Sequence, residues 1–248
     1  MKNILLVSVL SVGLFAQSSA DIARKSYEAI SGYGSSVSKT TMILKNAQGV
    51  ENTRKLEIKK LETDDGDRSL ISFLYPLDIK NTKLLSFEQI GGDDRQWLYL
   101  PALKRVKRIS ASNRSGSFMA SEFSYEDIAS QNYKNYTYEG EAQKINKDGL
   151  EYFQITRVPK DKNSGYSRQV VYIDTKSYLA RFGEYYDKQN RLLKEVTFSE
   201  YRKLDNLYRI QKINMHNVQS GKSSLLIWDQ DEIKAGLKPY DFSKRALK

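Results

Sequence analysis

The chain has 248 residues, with 40 Lys and Arg against 30 Asp and Glu for a formal net charge of +10, one histidine and no cysteine. The lack of cysteine excludes a disulfide framework, a thiol nucleophile, Cys-ligated zinc and the acylated cysteine of a lipoprotein, and a single histidine excludes a His-rich metal site. A basic surplus of this size favours an anionic partner.

In chain order, Lys2 precedes an apolar run over 4–16, and Ser18 and Ala20 stand where a signal peptidase reads. Residues 1–20 are therefore read as a cleavable secretory signal and 21–248 as one domain, periplasmic and without a lipid anchor. The apolar run is short for a bilayer span, and no later segment is apolar enough for one. Removing 1–20 takes one basic residue, Lys2, and leaves 39 basic against 30 acidic, about +9. Export argues against nucleic acid as the anionic partner and leaves lipid headgroups or an acidic protein face.

Ile22, Ser26, Ala29 and Tyr33 share one stripe at helical spacing, which predicts a short amphipathic helix over 21–33. From Val37 strand signals dominate. Over 54–61, Leu56 and Ile58 alternate with Lys55, Glu57 and Lys59, as in an antiparallel strand with one wet face. An acidic turn over 63–67 leads to a strand at 69–75. In the second half, strands over 169–173, 178–186 and 192–201 are joined by short polar turns, as in consecutive hairpins. Strands at 207–218 and 223–228 bring the total to about eleven, where one antiparallel sheet must curl or split. A closed barrel, a sandwich and an unclosed half-barrel all fit. A predicted helical interruption over 119–134 favours the last, because barrels and sandwiches seldom place a helix in mid-chain.

The most informative stretch is 91–128, GGDDRQWLYLPALKRVKRISASNRSGSFMASEFSYEDI. Trp97 and Tyr99 alternate with Leu98 and Leu100, a strand apolar on both faces, and Pro101 stops it. A second strand over 103–109 carries Lys104, Arg105, Lys107 and Arg108 on both faces, as an edge strand protected from stray pairing does. The same charges suit a rim for anionic headgroups or a docking face. Residues 110–117 form a mobile loop by composition, and Phe118-Met119 follow it. Ser124 and Asp127 have capping-box spacing, with Phe123 and Ile128 at the staple positions, so a helix is predicted to begin at Tyr125.

This block resembles the LolA-like outer-membrane lipoprotein-sorting proteins, periplasmic carriers of acylated cargo. A glycine turn, W-x-Y-x-P, a basic strand and a flexible segment ending in Phe-Met carry the resemblance. The wording GSFMASEFSYED is similar to a branch associated with exporters of the resistance-nodulation-division (RND) type. The strand meander on either side fits more loosely. The resemblance implies an α+β fold: a strongly curved antiparallel sheet, an unclosed half-barrel, with short helices over its concave face and an apolar cavity between. It also implies that the W-x-Y strand lines the cavity, so that Trp97 and Tyr99, with Phe118, Met119 and Phe123 of the lid segment, would contact acyl chains. Carriers of this family have an inward arginine that helps hold the lid; no residue here is assigned that role from sequence.

Little in the sequence supports catalysis. No G-x-S-x-G elbow is present, and His216 falls in an alternating strand, where a lone histidine is a polar face residue. Neither the 64–67 acidic cluster nor Asp93-Asp94 has calcium-loop spacing, so both are read as turns. Asp229, Asp231 and Glu232 are read as a solvated loop that balances a basic neighbour. The expectation is a monomeric, non-enzymatic carrier with no cofactor and no metal, which binds lipid or lipoprotein acyl chains and touches a membrane surface transiently. It would exchange cargo with an inner-membrane exporter and an outer-membrane acceptor. The alternative is an envelope adaptor that docks on an RND-type exporter and carries no ligand.

Overall fold

Residues 17–129 and 131–248 are described by the computed structural model of the chain. The apolar run of the expected signal lies outside the described residues, while Ser18 and Ala20 stand at the start of the first helix. That helix, α1 (Ser19–Glu28), begins where the Ser18 hydroxyl accepts from the Asp21 amide at 3.1 Å, with the Asp21 carboxylate in the first turn. It stops short of the predicted 33. Gly32 and Gly34 take left-handed φ values of 94° and 71°, which turn the chain into the first strand and leave Tyr33 buried in a loop.

The strands that follow are β1 (Ser35–Lys45), β2 (Glu51–Leu61), β3 (Arg68–Tyr75), β4 (Lys83–Phe87), β5 (Arg95–Leu100) and β6 (Arg105–Ile109). After α2 (Tyr125–Ile128) come β7 (Tyr136–Tyr138), β8 (Gln143–Lys147), β9 (Leu150–Pro159), β10 (Arg168–Asp174), β11 (Ala180–Tyr186) and β12 (Leu192–Ser199). The last four are β13 (Arg202–Leu204), β14 (Leu207–Arg209), β15 (Lys212–Asn217) and β16 (Lys222–Ile233).

Among the described residues, fourteen strands form one antiparallel sheet in the order β6-β5-β4-β3-β2-β1-β16-β15-β12-β11-β10-β9-β7, with β8 also on β9. The sheet is not closed: β6 and β7 end the path. The excess over eleven comes partly from β7 and β8, whose sequences, YTY and QKINK, show no apolar stripe. The predicted strand over 207–218 is divided into β14, which pairs with β13 as a separate ribbon, and β15. Pairing of β1 with β16 brings the two ends of the domain to the middle of the sheet.

Two expectations are corrected here. Asp229, Asp231 and Glu232 are not in a loop but within β16, where Asp231 forms a bidentate pair with Arg209 at 2.7 and 3.0 Å and accepts from the Ser38 hydroxyl at 2.7 Å. The mid-chain helix is a single turn, not a run over 119–134. Its start is as predicted, with the reciprocal Ser124–Asp127 capping box in place. It is bounded by extended backbone at Ser124 and Ala129, and Met119 and Ala120, with φ of 51° and 61°, are not helical either.

The concave face of the sheet presents Leu56, Ile58, Phe73, Leu84, Leu98, Val196, Met215 and Leu226, and Phe118 and Phe123 of the segment before α2 complete this core. Under α1, Ile22 and Ala23 pack on Phe153, Ile155, Val171 and Ile173. On the outer face, Leu70, Leu85 and Trp97 are covered by Phe242 and Leu247 near the C-terminus. Strand alternation thus feeds apolar clusters on both sides of the sheet.

Candidate functional site: a latched lid over the concave cavity

The concave face is not filled. Between α1, the 118–129 segment and the sheet lies a cavity of about 280 Å³, whose apolar wall includes Ile58, Ile71, Ile155, Val171, Phe198 and Trp228. Phe123, Ile128 and Ala129 roof it on one side and Ala23, Tyr27 and Ile30 on the other. Each strand contributes at period two, so the wall is apolar wherever the concave stripe is apolar. The stripe is interrupted by cations. Lys60 follows Leu56 and Ile58 at the same spacing, Arg157 follows Phe153 and Ile155, and Lys194 precedes Val196 and Phe198.

Two of the inward cations hold the lid. Lys194 Nζ lies 3.0 Å from Asp127 of α2 and donates at 2.7 Å to the Tyr166 hydroxyl, which itself donates to Asp127 at 2.9 Å. The two charged side chains are 9% and 4% exposed, so the triad is dry. Burial, reinforced by Asp127 and Glu126, holds the Tyr166 hydroxyl well above its ordinary range, which keeps it protonated and able to donate. At the other end of the lid, Arg54 on β2 donates to the Met119 carbonyl, and burial lowers its pKa. The Glu122 amide donates to Ser224 Oγ at 3.0 Å, and Asn217 Nδ2 donates to the Glu122 carboxylate at 2.8 Å. Gln96 on β5 donates to the Tyr125 carbonyl at 3.0 Å. The lid is therefore tied to the sheet by polar contacts around its rim and by Phe118 and Phe123 at its centre. Beside the latch, burial and the Asp127 charge raise the Glu126 carboxyl to about 7, against the Gly165 amide that donates to it at 2.8 Å.

Of the residues expected to contact acyl chains, Phe123 lines the cavity. Phe118 is fully buried against Phe73 and Tyr125, with ring centroids 5.7 and 5.5 Å away, and Met119 packs on the same core. These two anchor the lid. Trp97 and Tyr99 stand on the other face: Trp97 meets Phe87 edge-on at 5.4 Å, Lys244 lies 4.8 Å over its ring, and the C-terminal segment covers both. The expected lining role of the W-x-Y pair is thus corrected; Leu98 and Leu100 are the residues of β5 that face inward. Because β5 is apolar on both faces, its sequence could not reveal which pair points in.

β6 is an edge strand, as its charges predict, with Arg105, Lys107 and Arg108 exposed and Lys104 in a left-handed turn at φ 46° before it. His216 alternates with the inward Met215 and so faces outward, and no Ser or Asp hydrogen-bonds to it among the described residues. No cluster of His, Asp and Glu able to hold a metal occurs among the described residues, nor does any helix there have the length and apolarity to cross a membrane.

A single unclosed curved sheet with a lidded concave cavity defines a carrier-like architecture, and the comparisons agree. An outer-membrane lipoprotein-sorting protein domain from Vibrio parahaemolyticus is 41% identical, with a TM-score of 0.87 over 92% of this chain and 97% of that one. A DUF1329-family protein from Desulfovibrio piger is 30% identical, with a TM-score of 0.86 over 93% and 98%. A LolA-superfamily protein from Nitrosomonas europaea shares the fold at 18% identity, with a TM-score of 0.76 over 93% and 100%. A family model described only as an uncharacterized protein matches residues 65–248. Comparison with curated proteins gives no match. The chain belongs to the family of these outer-membrane lipoprotein-sorting and DUF1329 proteins and shares the fold of the LolA superfamily.

Proposed function

We propose that the protein is a periplasmic, non-enzymatic carrier that takes the acyl chains of a lipid or lipoprotein into the concave cavity and releases them to an acceptor. The observation that carries this reading is an apolar cavity roofed by a short segment held mainly at its rim. Burial of apolar surface supplies the affinity: at about 25 cal/mol per Å², a chain burying a few hundred Å² gains several kcal/mol. At about 280 Å³ the cavity is at the small end of ligand sites, so cargo longer than a short chain requires the lid to shift outward. The latch makes that shift a discrete step, because the Lys194–Asp127–Tyr166 triad is either dry and closed or broken and wet. In this reading the exposed Lys104, Arg105, Lys107 and Arg108 along the β6 edge meet anionic headgroups or an acidic partner during exchange.

The test is uptake and transfer. Protein purified without detergent is extracted with organic solvent for mass spectrometry, and the delipidated protein is titrated with a fluorescent fatty-acyl compound. Co-purified lipid or saturable uptake is expected, with transfer to anionic vesicles that slows as salt rises. A chain that carries no lipid and takes up no acyl compound refutes the carrier reading and leaves the exporter-docking adaptor.

A further inference from the structure

Three cations line the cavity: Lys60, Arg157 and Arg209. Arg209 is committed to Asp231 and lies 4.3 Å over the Tyr33 ring. Arg157 donates to Gln169 and Gln131 at 2.7 and 3.1 Å and stacks on Tyr136 at 4.1 Å. The Lys60 ammonium has neither a hydrogen bond nor an ion pair within 4 Å among the described residues. The contrast with the rest of β2 is instructive. On the outer face Lys39 meets Glu57 across the strands at 2.6 Å, the usual way an antiparallel sheet neutralises a lysine. The cross-strand neighbours of Lys60 on the inner face are Ser36 of β1 and Ser69 of β3. Both are small and buried, so they leave room beside the ammonium and supply no charge.

A lysine in such a place costs stability unless something answers its charge. Burial lowers its pKa, and Arg209 adds to that, while Asp67, Asp231 and Glu88 oppose it. Asp67 and Glu62 are the carboxylates that share the cavity wall on this side; Glu62 is engaged by the amides of Gly32 and Gly34 at 2.9 and 2.7 Å. A leucine at position 60 would have continued the stripe of Leu56 and Ile58 without this cost.

Resting on the carrier reading, we infer that the cargo is an amphiphile with an anionic head, a carboxylate or a phosphate monoester, and that Lys60 receives that head while the chain lies along the apolar wall. Lys60 is half-buried, and a charge-assisted contact there is worth about tenfold in affinity. The net positive field of the whole protein favours anions as well, and the test must separate the two effects.

The experiment compares laurate and monododecyl phosphate with uncharged lauryl alcohol, by calorimetric titration of the delipidated full chain. Wild type is expected to bind at least one of the anions about tenfold or more tighter than the alcohol, and whichever anion is preferred identifies the head. Lys60→Met should reduce that ratio to near one while alcohol binding persists, and Lys60→Arg should retain most of it. Lys59→Met removes the same charge from the opposite face of the same strand and should leave the ratio unchanged. Equal binding of anions and alcohol by wild type overturns the inference and leaves the carrier reading intact. Equal losses in Lys59→Met and Lys60→Met overturn it in favour of the general field. Failure of all three compounds to bind wild type overturns the carrier reading itself.

Discussion

Breaking the Lys194–Asp127 latch should free the lid before it unfolds the domain. Asp127→Asn keeps a side-chain oxygen to accept from the Ser124 amide, now 2.8 Å away, and so spares the cap of α2. It leaves the Lys194 ammonium, 9% exposed, without its counterion and with only neutral acceptors, the retained amide oxygen and the Tyr166 hydroxyl. Loss of one member of a buried pair costs about 3–5 kcal/mol, and the lower end applies here because Tyr166 stays. Lys194→Met should cost somewhat less, since Asp127 still accepts from Ser124 and Tyr166. In the double variant no buried charge is stranded, so its cost should fall clearly below the sum, with a coupling of about 2 kcal/mol or more. The lid is a short segment and the latch is one of several separate ties to the sheet, so most of the loss should appear as local opening. Hydrogen exchange of the Phe118 and Tyr125 amides, which bond to Phe123 and Gly116 within the lid segment, reports it directly. A loss of about 3 kcal/mol accelerates their exchange by roughly two orders of magnitude. Additive single effects, or lid amides that exchange at the wild-type rate in Asp127→Asn, would refute the latch.

Glu126 gives the lid a pH dependence of known sign. Its folded-state value of about 7 stands above the ordinary 4.5, so folding favours the protonated form, and its contribution is present below 4.5 and lost as pH rises to 7. Glu126→Gln should therefore be neutral to stability at acid pH and stabilising above 7, by up to about 3 kcal/mol; a thermal-melt series over pH 4 to 9 checks this, and a gain of the same size at pH 4 would contradict it. Trp228 lines the cavity and Trp97 does not, so acyl binding should shift emission in Trp97→Phe and leave it unchanged in Trp228→Phe. The reverse pattern would place the ligand on the outer face.

The local rules carried far because the positions concerned obey local physics. The capping box of α2, the alternation of Leu56 and Ile58, the edge placement of the charged β6 and the outward His216 each follow from spacing that a strand or a first helical turn imposes on its own residues. The 91–128 wording pointed to the family and, through it, to an unclosed curved sheet. What spacing cannot supply is which side of a strand faces in when both sides are apolar. Trp97 and Tyr99 face out because the C-terminal Phe242 and Leu247 pack on them, a contact made across about 145 residues of chain. The latch is similarly nonlocal, since Lys194, Tyr166 and Asp127 lie on separate elements and meet through the curvature of the sheet. Lys60, Arg157 and Lys194, whose one signal is a break in an apolar stripe, are passed over when the sequence is read alone, because Lys55, Lys59 and Lys60 look alike there. Only the folded sheet decides which lysine is solvated, which holds the lid and which stands in the cavity beside two serines, because that depends on the strand beside it.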